Sequence, residues 1–523
     1  MNSNSNCLLR FISILLLMLS IGSCAEKKSE EKKSSDSLAE KKEEVKKTSP
    51  NILWIYVEDI SPDLGAYGDP LANTPQLDAM AKQGVRFTNT IMPSPVCSPS
   101  RSAMITGVMS TTIGTHNHHS SRTEASAIRL PDTITTIPEL FKKAGYYTFN
   151  SGKDDYNFWY NRKDLYNEAY YQHPLYGKSA KRNYWKEGIK NKPFFGQIQL
   201  SGSKHIFSKT FKEKVITPID RSKVTIPPYY PDVPLIREEW AQYLETLELT
   251  DMEVKKILDQ LKADGLLENT VVFFFSDHGM RSLRHKQFLY EGGIKVPFIV
   301  QWEGNPDLIK PGTVNDKLIS GLDIGATSLA LAGIKKPDYM EGENLFAADH
   351  KARPYVISTR DRCDFTIDRI RSVRTERFKY IKNFYPNRSY MQPNYRDEWE
   401  STQLLRKLYA EGKLNELQSR IFKDNRPEEE LYDLVLDPNE INNLATNVEY
   451  QNELKRHREI LNNWIKKTGD KGQYPEDKEN LKYMLGIWDE QAVNEEYTAI
   501  RKEFPDLAGS LKDKKSAKFE LVE

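Results

Sequence analysis

Along the chain, short unbroken apolar runs alternate with longer segments in which apolar residues recur every three or four positions. The first run, NILWIYV at 51–57, has strand length and no polar interruption after Asn51. The segment TPQLDAMAKQG carries the marks of a helix, with Thr74 as N-cap, Pro75 at the first helical position and Gly84 as the stop. The same grammar repeats. TTIPELFKKAG predicts a helix from Thr136 to Gly145 that feeds the strand YYTFN; an amphipathic stretch over about 236–264 feeds TVVFFF at 270–275; and VPFIVQW begins another strand at Val296. Apolar strands joined by helices predict an α/β fold with a large parallel sheet covered on both faces. Ligands of such sheets bind beyond the carboxyl ends of the strands, so residues just past each strand are where chemistry is sought.

Beyond about residue 350 the pattern changes to short strand-like runs, YVIS, RIRSVRT and FKYIKNF, followed by charged helical stretches to about 467. This change sets a segment over 351–523, ending in a charged tail, apart from the α/β segment over 50–350. At the other end, Arg10 precedes an apolar run from Phe11 to Ile21, too short for the ~20 residues of a membrane span, so residues 1–23 read as a signal peptide. Its end, LSIGSC, resembles a bacterial lipobox, which would make Cys24 a lipidated first residue; ordinary signal cleavage is the alternative. The mixed-charge stretch to residue 49 cannot bury a core and reads as a solvated tether. The expected location is therefore a bacterial membrane, with the protein exported and held on the periplasmic or cell-surface side by its lipid.

Composition changes this picture in one respect. With 75 Lys+Arg against 74 Asp+Glu in 523 residues, no general basic surface for nucleic acid exists, and any anionic ligand must be met locally. Two strand ends carry acids: NILWIYV runs into Glu58 and Asp59, and TVVFFF runs through Ser276 into Asp277 and His278. Three carboxylates and an imidazole at one rim suit a divalent cation, and the oxygen majority favours calcium or magnesium over zinc. Acids after strands also cap helices, so either pair alone is weak. Of the four cysteines, Cys7 and Cys24 belong to the leader, and nothing in the sequence brings Cys97 to Cys363 for a disulfide. Cys97 is then an inert apolar residue, a nucleophile, or a residue that is converted.

The segment CSPSRSAMITG, from Cys97, is similar to the signature of type I formylglycine-dependent sulfatases of the alkaline phosphatase superfamily. Around it, in order, stand NILWIYVED, TPQLDAMAKQGVRFTN, SGKDD, PFFGQIQLSGSKH, FFFSDHG, HKQFLYEGGIKVPFIV, LDIGATSLALAGI, RSVRTERFKYI and EELYDLVLDPNEINNLA, each resembling a family block, over about residues 50–467. The resemblance implies the alkaline-phosphatase-like fold, a large mixed or parallel sheet flanked by helices in a catalytic domain over 50–350, with a smaller C-terminal α+β subdomain and charged tail over 351–523. It also implies that a sulfatase-maturing enzyme, reading Pro99 and Arg101, oxidises Cys97 to formylglycine (3-oxoalanine), whose hydrated diol attacks sulfate. A sulfated diol can expel sulfate by re-forming its carbonyl, which a sulfated serine cannot do.

Carried over position by position, the resemblance implies Glu58, Asp59, Asp277, His278 and the converted Cys97 as ligands of one Ca2+. It implies Arg101, Lys153 and Lys286 as fixed cations and His205 as the proton donor to the departing alcohol. Three positions depart from the common pattern: Glu58 stands for an aspartate, His278 for a frequent asparagine, and Asp155 for a histidine beside the diol. Asp155 is either the base itself or an orienter of Lys153, with His116 or His118 taking the proton. The loop GTHNHHSSR, with His116, His118 and His119, is a substrate-contacting loop, a solvated loop or a second metal site. Arg360, Arg362, Arg369 and Arg371 either reach acidic sugars or form surface salt bridges.

The function expected is a sulfuric ester hydrolase acting on a sulfated polysaccharide or oligosaccharide, an algal glycan such as ulvan first. The alternatives are a phosphonate or phosphodiester hydrolase of the same superfamily, or a non-catalytic glycan-binding surface lipoprotein. A matured aldehyde would be superfluous for the last.

Overall fold

The structure, a computed structural model, describes residues 49–170, 185–186 and 192–512. The signal peptide, Cys24 and nearly all of the tether lie outside the described residues, as does the end of the charged tail. Among the described residues, no helix is long and apolar enough to cross a membrane.

Eight strands form the main sheet: β1 (Asn51–Val57), β2 (Val85–Ile91), β3 (Tyr147–Ser151), β4 (Glu168–Tyr170), β5 (Phe194–Leu200), β6 (Thr270–Ser276), β7 (Lys295–Gln301) and β8 (Thr313–Ser320). Their spatial order is β4-β3-β5-β1-β6-β7-β2-β8. The predicted helices stand between them, Pro75–Gln83 with Thr74 and Gly84 as caps, Ile137–Lys143 after Thr136, and the long helix Pro234–Ala263. Glu139 closes the first turn of the second of these by accepting from both the N–H and the hydroxyl of Thr136.

The sheet departs from the fully parallel arrangement at one strand, for β7 runs antiparallel to both β6 and β2. Residues 277–294 between β6 and β7 contain only the four-residue helix Glu291–Ile294, so no crossover helix carries the chain back to the starting edge. A return without a crossover gives an antiparallel neighbour. The sheet is therefore mixed.

Alternation along β1 divides the core into two layers, as a strand buried on both faces requires. Ile52, Trp54 and Tyr56 pack on one side with Phe195, Phe273, Phe275 and Phe298. Leu53, Ile55 and Val57 pack on the other with Phe274, Ile299 and Leu247, Val254 and Leu261 of the long helix. Trp54 sits edge-on to Phe195 and Phe275, with ring centroids 5.2 and 5.4 Å away. Truncating such a ring would cost about 3–5 kcal/mol.

A second sheet holds β9 (Val356–Arg360), β10 (Ile370–Arg374), β11 (Phe378–Asn383) and β12 (Glu429–Asp433), all antiparallel in the order β12-β11-β10-β9. Helix Gln451–Thr468 covers it with Leu454, Leu461 and Trp464. The same cluster contains Ala103, Met109 and Leu322 of the larger layer system, so the two sheets share apolar packing. Helices Lys478–Trp488 and Glu495–Glu503 follow, within the stretch where the sequence showed little beyond charge.

Candidate active site

Strands β1 and β6 are parallel neighbours with Val57 opposite Ser276, which delivers the two acid pairs to one level of the sheet rim. Asp59 takes a left-handed backbone (φ 60°). Its N–H and that of His278 both donate to Asp277 Oδ1, each at 3.1 Å. Gly202 allows the neighbouring turn to close on this rim, because a Cβ there would lie 2.0 Å from the Glu58 carbonyl oxygen.

Cys97 opens the helix Cys97–Thr106, all ten residues of which are buried. Its Sγ lies 3.2 Å from His278 Nε2 and 3.2 Å from Lys286 Nζ. Burial alone would raise the thiol pKa, but Lys153, Lys286 and His278 overcome it and bring it down to about 6. One turn on, Arg101 is fully buried and donates from Nε to Asp277 Oδ2 (3.0 Å) and from Nη1 to Gln199 Oε1 (2.8 Å), with its guanidinium 4.4 Å from the centre of the Tyr56 ring. Its Nη2 makes no hydrogen bond among the described residues and lies 3.5 Å from Glu58.

Three lysines complete the charge balance. Lys286 Nζ lies 2.8 Å from Asp59 Oδ1, and Lys153 and Lys204 reach Glu58 at 2.5 and 2.6 Å. Burial works against both carboxylates, yet these cations hold Glu58 and Asp59 well below the usual carboxylate range. Both are ionised at any working pH.

The donor set fits a divalent cation. Ligand atoms of Asp59, Cys97 and His278 all lie within 4.8 Å of one another, as do those of Glu58, Cys97 and Asp277. His278 Nδ1 is 2.9 Å from the Gly279 carbonyl, which can only accept, so Nδ1 carries the proton. In the neutral ring Nε2 then keeps its lone pair, facing Cys97 and Asp59. Three carboxylates against one imidazole favour a hard cation.

Asp155 also has a left-handed backbone (φ 54°), and its carboxylate lies 3.0 Å from both Lys153 Nζ and Arg122 Nη2. Lys153, His119 and Arg122 hold its carboxyl well below the ordinary range in spite of burial. His118 offers a ring nitrogen within 4.8 Å of both the Cys97 sulfur and an Asp155 oxygen. Its Nδ1 pairs with Asp364 at 3.2 Å, and Asp364 with Cys363 outweighs burial and raises its pKa to about 10. His119 stacks on it with centroids 3.6 Å apart and also reaches Asp364, while His116 is buried near Asp361 and Arg371. The histidine loop is thus neither solvated nor uniform.

His205, expected beside the departing alcohol, is directed elsewhere. Its Nε2 lies 3.2 Å from Glu253 on the long helix, and the residues of that 3-10 turn lining the catalytic cavity are Lys204 and Phe207. The cavity measures about 630 Å3. Cys97, Asp59, Lys153, Lys204 and Lys286 line it together with Tyr395, Trp399 and the apolar side of helix Lys478–Trp488.

The family model described as Sulfatase matches residues 50–334, and that described as N-sulphoglucosamine sulphohydrolase, C-terminal, matches 278–425. The chain belongs to the sulfatase family. An ulvan-active sulfatase of Formosa agariphila is 34% identical over 513 residues, covering 90% of this chain and 83% of its own length. Among solved structures, a 2-O GAG sulfatase (TM-score 0.60, 22% identical, 82% of this chain and 95% of that one) shares the fold. So does the phosphonate monoester hydrolase of Agrobacterium radiobacter (TM-score 0.58, 16% identical, 80% and 96%). The protein is a sulfuric ester hydrolase with the fold of this family.

In this sulfatase the four arginines singled out from the sequence neither reach the cavity nor lie in surface bridges. Arg360 pairs with Asp368, Arg362 with Glu476, and Arg371 with both Asp361 and Asp470, all deep in the small sheet; Arg369 reaches Asp470 at 3.5 Å. Arg362 also donates to the His118 carbonyl and to Ser120, fastening the histidine loop. Cys97 and Cys363 are both free, and Gln287 Nε2 lies 2.8 Å from the Cys363 sulfur. Sequence reasoning missed Lys204, Arg122, Arg281, Tyr395 and Trp399. Only Lys204, beside a motif histidine, carried a local signal.

Proposed function

We propose that this sulfatase removes sulfate esters from a sulfated polysaccharide, with an ulvan-type algal glycan as the first candidate, using formylglycine at position 97 and one Ca2+. The observation that carries the reading is the convergence of Cys97, Asp59, Lys153, Lys204 and Lys286 on one cavity, with Arg101 paired to Asp277 beneath them. The substrate rests on the ulvan-active relative at 34% identity. When present, the aldehyde supplies a hydrated nucleophile and the cation draws charge from sulfate oxygens. Glu58, Asp59, Asp277 and His278 would hold the cation.

The chain's own residues do the rest. Arg101 points its unused Nη2 at the rim, and Lys153, Lys204 and Lys286 are fixed cations that need no reorganisation as charge develops on the ester. Asp155, held ionised by Lys153 and Arg122, orients Lys153 and is a poor base. His118 retains a proton at neutral pH and faces the cavity, so it is assigned the protonation of the departing alcohol, with Asp364 orienting the ring. Upstream, a lipid on Cys24 would hold the enzyme at a membrane, in keeping with a polymeric substrate outside the cytoplasm.

Mass spectrometry of the Cys97 peptide from protein made with a maturing enzyme tests the first step, the expected product being the aldehyde. Release of sulfate from ulvan oligosaccharides tests the second. A panel of aryl sulfate, phosphate diester and phosphonate esters separates this reading from the phosphonate or phosphodiester alternative, and preferential turnover of the phosphorus esters would overturn it.

A further inference from the structure

Arg281 lies in the wall of the catalytic cavity, outside the rim that holds the reacting groups. It is only 9% exposed, and its guanidinium carbon sits 5.0 Å from the centre of the Phe207 ring and 4.7 Å from that of Trp399. Two aromatic faces at these distances hold a guanidinium in place without using its N–H donors. Its one ion pair among the described residues is with Glu239 Oε1 at 3.9 Å, too long for a hydrogen bond, and that oxygen already accepts from Ser282 Oγ at 2.9 Å. A buried guanidinium whose donors are not used by the protein must find an acceptor in water or in a ligand.

The contrast with the other buried arginines makes this informative. Outside the reacting rim, Arg362, Arg371 and Arg396 each spend all three side-chain nitrogens on protein oxygens. Arg281 is flanked instead by rings: Phe207, itself 60% exposed, and Trp399, against which Tyr395 packs, while Tyr483 and Trp488 of helix Lys478–Trp488 line the same cavity. Aromatic surface of this kind suits the apolar faces of sugar rings, and a fixed planar cation within it suits a planar or tetrahedral oxyanion.

We propose that Arg281, packed against Phe207 and Trp399, is an anion subsite that binds a second negative group of the substrate, a carboxylate or a second sulfate on a sugar of the same saccharide. The proposal rests on the polysaccharide-sulfatase reading and narrows it to polyanionic saccharides. The scissile sulfate is met by Lys153, Lys204, Lys286 and Arg101, whereas Arg281 adds affinity for the neighbouring charge and so selects among sulfated glycans.

The test is the ratio of kcat/KM for a sulfated oligosaccharide bearing a uronic carboxylate to that for its carboxyl-reduced counterpart, measured on the parent and on Arg281→Gln. A second pair, with and without an additional sulfate, tells which anion is read. A charge-assisted, bidentate contact predicts that the parent favours one charged member by about ten-fold or more and that Arg281→Gln brings that ratio near one. Arg281→Lys should recover part of the preference. A ratio unchanged in Arg281→Gln for both pairs overturns the subsite, whatever happens to absolute rates. Calorimetric binding of the same saccharides to Cys97→Ala protein gives a readout independent of turnover. If the parent hydrolyses no sulfate ester, the enzymatic reading fails, and the subsite then stands or falls on whether Arg281→Gln in the Cys97→Ala background removes the preference for the charged member.

Discussion

Two regions of this sulfatase bury dense charge, and they do so to opposite ends. In the small sheet, Arg360, Arg362, Arg369 and Arg371 meet Asp361, Asp368, Asp470 and Glu476, and the cavity beside Arg360 and Asp368 is about 10 Å3, roughly room for one water. At the sheet rim, Glu58, Asp59 and Asp277 meet Arg101, Lys153, Lys204 and Lys286 around an opening of about 630 Å3. The first cluster is closed, with carboxylates bridging the guanidinium forks of Arg362 and Arg371 and so fastening Asp470 and Glu476 to the small sheet and its loops. The second is open, with cations facing a space that admits a ligand and a thiol, Cys97, in their midst. A charged cluster is thus recognised as a site by what its groups face.

The largest effect expected separates these roles outright. Cys97→Ala should lower turnover on the order of 10³-fold or more while the thermal midpoint moves by no more than about 2 °C, since a small side chain is lost and Lys286 keeps its pairing with Asp59. Chelation should likewise abolish activity, restored by Ca2+, and should lower the midpoint as the rim carboxylates lose a counter-ion; full activity of exhaustively metal-free protein would remove the ligand assignment. In the closed cluster the pattern should invert. Arg371→Met leaves Asp361 and Asp470 buried without their partner, and unfolding in urea should show a loss of about 3–5 kcal/mol with rate per folded molecule within about two-fold of the parent.

A finer contrast lies within the rim. His118→Gln should slow a sugar sulfate by about 10²-fold or more and a nitrophenyl sulfate, whose leaving group needs no proton, much less, whereas His205→Gln should act on both substrates alike through its contact with Glu253. Equal sensitivity of the two leaving groups to His118→Gln would return the proton donor to another residue. The smallest effect is on stability against pH. His118 has its folded pKa raised to about 10, so its pairing with Asp364 contributes fully below the unfolded value near 6.5 and is lost as pH rises through about 10. The thermal midpoint should fall over that range by roughly 2 °C more in the parent than in Asp364→Asn.

How much of this was legible beforehand differs from residue to residue. The rim acids were readable because each follows an apolar run directly, and a strand end fixes where its next residue goes. Cys97 and Arg101 were readable because they lie four apart in one motif, on one helix. Lys204 and His205 show the limit. In a 3-10 turn, adjacent side chains point about 120° apart, so which of the two faces the cavity depends on where the turn is docked, and Gly202 docks it against Glu58. Asp155 was recognisable as a departure, but its engagement by Lys153 and Arg122 was visible only once the chain had folded.

By itself, then, the sequence determined the strands and helices that flank the signature, the strand ends that carry acids and the signature itself, because each is written in contiguous residues whose local periodicity or spacing has a direct physical meaning. Tertiary structure alone decided that β7 runs backwards, that the four arginines close on carboxylates up to 114 residues away, that helix Lys478–Trp488 walls the cavity, and that Arg281 is packed against Phe207 and Trp399. Charge and aromaticity are the same in a salt bridge, a core and a binding site. What distinguishes them is which groups are brought within a few ångströms, and that is set by packing between segments far apart in the chain.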